Sequence, residues 1–275
     1  MKRATLLIFV TGLCGAGLLG QQRPLVTEPA NTVEEGHLLF DVGFEFYQDA
    51  VFPFSGLEGD LSRLGVLGFR LGVSEDVELQ LLGTLQNSLN VDRKFVGPNT
   101  PNLNFNDDDT SSVGDFTLAA KWRFMDEDLG RPALAFRFGF KLPNASNESG
   151  LGTDETDIFG SFLFEKTVGK LRVIGNAGLI ILGDPTDNSS QDDQFLYGFA
   201  LLHPVGTNVN LLADFHGRAG DSGFGTEETS SLRLGAQVKT GGIYWDFGAH
   251  FGFEDADPDT GFFIGISKDF ELWSP

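Results

Sequence analysis

Residues 132–143 read PALAFRFGFKLP, and every second position is large and apolar: Leu134, Phe136, Phe138, Phe140 and Leu142. Between them stand Ala135, Arg137, Gly139 and Lys141. A strand sends successive side chains to opposite faces, so this run has one apolar face and one small or cationic face. The run is one of a series from about residue 37 to residue 270. LLFDVGFEFY sets Leu38, Phe40, Val42, Phe44 and Phe46 against Asp41, Gly43 and Glu45, and VNLLADFHGR sets Val209, Leu211, Ala213 and Phe215 against Asn210, Asp214, His216 and Arg218. Similar runs lie near 62–73, 77–86, 115–124, 157–165, 171–181, 194–202, 231–239, 243–253 and 262–270. Links near 74–76, 126–131, 168–170, 203–208 and 240–242 are short. Those at 50–61, 90–112, 144–155, 183–193, 220–228 and 254–260 are longer and polar. Strict alternation of short and long links predicts an antiparallel up-and-down barrel of about twelve strands.

The two faces decide the solvent. A soluble barrel of this size would need a very large apolar filling. It would also have to be covered in glycine, serine and paired charges. With the apolar face turned to lipid and the polar face to a lumen, both difficulties vanish. The chain is therefore read as all-β, a transmembrane barrel of the outer-membrane type, whose closed sheet leaves no backbone group unbonded in lipid. The 36 Gly and 27 Phe fit that class, since Gly disfavours helices and Phe favours strands. Tyr47, Trp122, Trp245 and Phe270 are expected in the interfacial girdles.

Residues 1–22 carry Lys2 and Arg3, a short apolar stretch from Leu6 and small residues to Gly20, the pattern of a cleaved secretory signal peptide. Residues 23–36 are then a periplasmic N-terminal segment, and 37–275 the barrel. The only cysteine, Cys14, lies in the signal, so no thiolate metal site is expected. The formal charge of −20 argues against a nucleic-acid partner. The partners expected are outer-membrane lipid, lipopolysaccharide and small solutes.

The lumen phase collects nine cations, Arg70, Lys121, Arg123, Arg137, Lys141, Arg172, Arg218, Arg233 and Lys239. It collects seven anions, Asp41, Glu45, Glu78, Asp115, Glu165, Asp214 and Asp246, and two histidines, His216 and His250. These side chains are the candidate lumen lining, close to neutral and laced with ion pairs. The acidic surplus falls in the long links, such as 107–109 and EDADPDT at 254–260. Those links lack EF-hand spacing and are read as solvated loops, not metal sites. No G-x-S-x-G elbow occurs, and the two histidines share the lumen phase, so no catalytic residue or cofactor is expected.

Gly114-Asp115 opens a strand reaching Lys121 and Arg123, and Lys141-Leu142-Pro143 ends the next. Gly150-Leu151-Gly152-Thr153 then leads into Asp157, and Ser267-Lys268 lies in a closing strand. With these features the chain resembles a family of bacterial outer-membrane barrels, transporters associated with the phenol meta-degradation pathway. The resemblance implies an outer-membrane channel that admits hydrophobic or aromatic compounds. The reading kept beside it is a plugged structural or adhesion barrel acting through its acidic outer loops.

Overall fold

The computed structural model describes residues 23–105, 108–187 and 190–274. The expected signal peptide and Asp107 lie outside the described residues. Alternating runs become long strands: β1 (His37–Phe52), β2 (Leu57–Ser74), β3 (Val77–Lys94), a short β4 (Asp109–Ser112), β5 (Phe116–Met125), β6 (Ala133–Leu142), β7 (Asp157–Val168), β8 (Leu171–Gly183), β9 (Gln191–Val205), β10 (Val209–Gly220), β11 (Thr229–Thr240), β12 (Ile243–Gly252) and β13 (Thr260–Glu271). Each long strand pairs antiparallel with its neighbours in sequence, and β1 pairs with β13 from His37↔Glu271 to Gln48↔Thr260. The result is a closed twelve-stranded barrel. The short β4 is an extra strand that pairs only with β3, from Asn87↔Ser112 to Asn90↔Asp109.

The apolar phase points outward. Phe138, Phe162, Leu179, Phe199, Leu211, Phe247 and Ile264 are all exposed around the barrel. The opposite phase is enclosed, with Asp41, Glu78, Lys121, Glu165, Asp214 and Asp246 almost inaccessible. Such an inside-out distribution is stable only when the outer solvent is hydrocarbon. No helix among the described residues is long and apolar enough to cross a membrane, so crossing falls to the strands.

Three departures from the sequence reading have physical causes. First, the expected long link at 50–61 is a turn of residues 53–56, because β1, β2 and β3 run on past the other strands. Their ladder continues from Arg63↔Asn87 to Leu57↔Lys94. The inner face of this extension buries Leu57, Leu61, Leu89 and Val91 under Leu103, Phe105 and Leu151 of two long loops. Those loops are stitched together: Asn99 Nδ2 donates to Asn147 O at 2.6 Å, and Ser55 Oγ to Gly150 O at 2.8 Å. Second, Tyr47 is buried inside, not placed in the girdle, since it shares the phase of Asp41 and Glu45. Trp122, Trp245 and Phe270 do face outward. Third, residues 23–36, expected as a segment ahead of the barrel, are packed within it, with Leu25, Thr27, Glu28, Ala30 and Val33 buried. They enter it at the short-turn end and run through its interior.

Candidate functional site

The interior is organised by that segment. It lacks regular secondary structure, so its backbone N–H groups need acceptors from elsewhere. The inward carboxylates of the strands supply them. Asp214 on β10 accepts from Val26 N at 2.5 Å, Thr27 N at 3.0 Å and Thr27 Oγ1 at 2.5 Å. Glu165 on β7 accepts from Asn31 N and Nδ2 at 3.2 and 2.8 Å, and also pairs with Arg172. Glu78 on β3 accepts from Val33 N at 2.7 Å. Asn176 on β8 closes a reciprocal pair with Glu28, its Oδ1 accepting from Glu28 N and its Nδ2 donating to Glu28 O, each at 2.7 Å.

The segment contributes charges as well. Glu28 reaches Lys121 Nζ at 2.9 Å, which also meets Glu78 at 3.2 Å, and it lies 3.8 Å from Arg137 Nε. Arg23 forks onto Asp246 at 3.2 and 3.3 Å, while Gln237 Nε2 donates to Arg23 O at 2.7 Å. Its guanidinium lies where the side chains of residues 43 and 265 would be: a Cβ on Gly43 would stand 2.3 Å from Arg23 Nη2, and one on Gly265 2.6 Å. Glycine at both positions gives the arginine its berth.

Nearer the long loops a second network forms. Glu45 binds Arg63 at 2.9 Å, Arg233 at 3.2 Å and the Tyr47 hydroxyl at 2.9 Å, and Arg233 donates to Tyr47 Oη at 2.7 Å. Arg70 pairs with Asp41. Lys141 bridges Asp115 and Asp157 at 3.1 and 2.9 Å. Arg218 donates to Glu227 O at 2.9 Å. His216 Nδ1 stands 3.4 Å from Asp214 Oδ1, and His250 sits edge-on to Tyr47.

Of the candidate lining residues, two depart from the interior. Arg123 is bound at the short-turn rim by Asp76 at 3.0 Å and Asp126 at 2.9 Å. Lys239 is exposed at the same end, over the ring of Tyr244. Both have the inward phase, but they lie at strand ends, beyond the enclosed part of the lumen. The sequence reading missed Arg23, Glu28, Asn31, Arg63 and Tyr47. The first three sit in a stretch without periodicity; Tyr47 was legible from its odd-numbered phase. Asp257, read as part of a solvated acidic loop, instead ties its loop by accepting from Ser230 N at 2.7 Å.

The segment leaves room beside it. A cavity of about 320 Å³ lies between Pro24, Leu25 and Val26 on one side and the β1–β3, β5, β6 and β11 walls on the other. Val66, Leu67 and Leu82 line it together with Arg63, Arg70, Arg137 and Arg233.

Over residues 21–270 the chain matches the model of a family described as "Putative MetA-pathway of phenol degradation". The chain belongs to this family. Among solved structures it is similar to an outer membrane channel from Pseudomonas putida F1, at 18% identity and a TM-score of 0.62, covering 87% of this chain and 97% of that one. Lower similarity is found to the translocator domain of the autotransporter NalP from Neisseria meningitidis, with TM-score 0.47, 14% identity and coverages of 86% and 90%. The CymD monoaromatic hydrocarbon channel matches at TM-score 0.41, 11% identity and coverages of 86% and 88%. No curated protein matches the chain. This member of the family is thus an outer-membrane-type barrel, with lipid as the solvent of its outer face.

Proposed function

We propose that this family member is a porin-like outer-membrane channel or transporter for small solutes, hydrophobic or aromatic compounds among them. The observation that carries the reading is the cavity of about 320 Å³ kept inside the barrel beside its own N-terminal segment. A barrel serving only as a loop scaffold has no need of a cavity walled by both aliphatic and guanidinium groups. Likeness to the Pseudomonas putida F1 barrel, itself an outer membrane channel, supports the same reading. In this reading the inward residues from Asp41 to His250 line the solute path, and Arg123 and Lys239 stand at its rim. Because the lumen charges are largely paired, conductance selectivity between small inorganic anions and cations is weak, with the acidic loops mildly repelling anions on approach.

The test is reconstitution of the folded barrel. Small conductance in planar bilayers, together with entry of neutral aromatic solutes into proteoliposomes, is expected. A correctly folded barrel showing neither would overturn the channel reading.

A further inference from the structure

The chemistry of the cavity is narrower than "hydrophobic". Five guanidiniums line it, those of Arg23, Arg63, Arg70, Arg137 and Arg233. A guanidinium carries five N–H donors. Among the described residues, protein acceptors engage no more than two donors on any one of these five. Arg70 and Arg233 are more than nine-tenths buried, yet the Nε of each has no acceptor. Among the described residues, Arg137 is the one of the five with neither Nη group bonded to a protein acceptor. Its Nε donates to Gln80 Oε1 at 2.8 Å, and its planar group lies 4.7 Å from the ring of Phe159.

The acidic side chains of the lining cannot absorb this surplus. Asp41 is held by Arg70, Glu45 by Arg63, Arg233 and Tyr47, and Asp115 by Lys141. Glu28 is held by Lys121 and Gln80, and its Oε2 lies 3.8 Å from Arg137 Nε. Two oxygens, Glu28 Oε2 and Asp41 Oδ1, lack a hydrogen bond, but each belongs to a carboxylate whose other oxygen is already bound to a cation. Donors therefore exceed acceptors around the cavity. Beside them Leu25, Val26, Val66 and Leu82, which have no hydrogen-bonding side chains, supply apolar lining.

Resting on the channel reading, we infer that this cavity is a binding site for small amphipathic monocarboxylates, with an apolar ring or short chain against Leu25, Val26 and Leu82 and the carboxylate among the arginines. A carboxylate offers two acceptor oxygens in the geometry that a guanidinium fork matches. A neutral hydroxyl offers one oxygen and a further donor that the site does not need. An ammonium offers only donors and meets arginine. Arg137 is the specificity-determining residue, because both its Nη groups are without a protein acceptor while its Nε is held by Gln80 and Glu28.

The experiment uses the full barrel in lipid nanodiscs and three probes of similar shape: benzoate, benzyl alcohol and benzylamine, at neutral pH. Benzoate is expected to bind saturably, at least tenfold more tightly than benzyl alcohol, and benzylamine not to compete. Arg137→Gln lowers benzoate affinity about tenfold, Arg137→Lys less, and the preference of benzoate over benzyl alcohol shrinks accordingly. Leu82→Ser weakens both probes alike, so the preference survives. Equal binding of benzoate and benzyl alcohol, absence of saturable benzoate binding, or an Arg137→Gln barrel with the preference intact would each overturn the inference. If Arg137→Gln does not fold, the probe series on the unaltered protein still decides. Entry of benzyl alcohol into proteoliposomes is followed in parallel. Entry without carboxylate preference defeats this inference alone, whereas absence of entry and conductance defeats the channel reading beneath it.

Discussion

Lys121 has essentially no exposed surface and is held between Glu28 and Glu78. Removing one partner of a buried ion cluster strands the other charges, which costs about 3–5 kcal/mol, more than the pairing itself contributes. Lys121→Met should therefore lower stability by about that amount in urea titrations of the barrel in bilayers, despite its added apolar surface. Phe138 illustrates the outer solvent. It is 54% exposed on a face that only lipid can cover, so Phe138→Arg should cost about 2–4 kcal/mol at mid-bilayer or block assembly. Its neighbour Gly139 is not spare space. A Cβ there would meet Leu118 O at 2.4 Å and Phe159 Cζ at 2.8 Å, so Gly139→Ser should also destabilise, by crowding and not by exposure. Asp184, in the loop after β8, accepts from Ser190 Oγ at 2.7 Å and from Thr186 Oγ1 and N at 2.6 and 2.8 Å. These bonds hold its carboxyl at about 2, below the ordinary 3.8. A depressed acid stabilises the folded loop above its unfolded value and loses that contribution as pH falls through the folded one. Order in this loop should therefore persist at neutral pH and fade between about pH 4 and 2, followed by amide exchange at Thr186; unchanged protection at pH 2 would contradict the assignment.

At the scale of elements, strand phase was the most legible feature. Alternation from Leu134 to Leu142 requires only that one solvent be apolar, and the same phase marks the enclosed charges, apart from Arg123 and Lys239 at the strand ends. Legibility failed where that condition fails. The outer parts of β1–β3 carry polar residues such as Asp60, Ser62, Ser88 and Asn90 among their apolar ones. Their sequence looks like loop because water and loops, not lipid, surround them. The segment 23–36 was opaque for a deeper reason. It has no repeat of its own, and its conformation is dictated by carboxylates tens to hundreds of residues away, such as Glu78 and Asp214. Its removal is a direct test of its place. Deleting residues 23–33 should raise single-channel conductance several-fold and lower the temperature of heat-induced mobility change in gels. A barrel with unaltered conductance would mean the segment does not occupy the path.

At the scale of the whole molecule, long loops gather at one end and short turns at the other, the same end as His37 and Glu271. With the short turns in the periplasm, proteases added to intact cells should cut at the exposed stretch 221–224 and spare the stitched loop around Asn99. Cleavage confined to broken cells would reverse the orientation. The buried course of residues 23–36 also bears on how the molecule is made. Its anchors, Glu78, Glu165, Asn176, Asp214 and Asp246, come from five strands spread along the chain. No partial sheet assembles all five around one axis; the berth exists only after β13 has zipped onto β1. The stretch synthesised before the first strand must therefore be the last to find its place, and its seating amounts to a built-in inspection that the ring has closed in register.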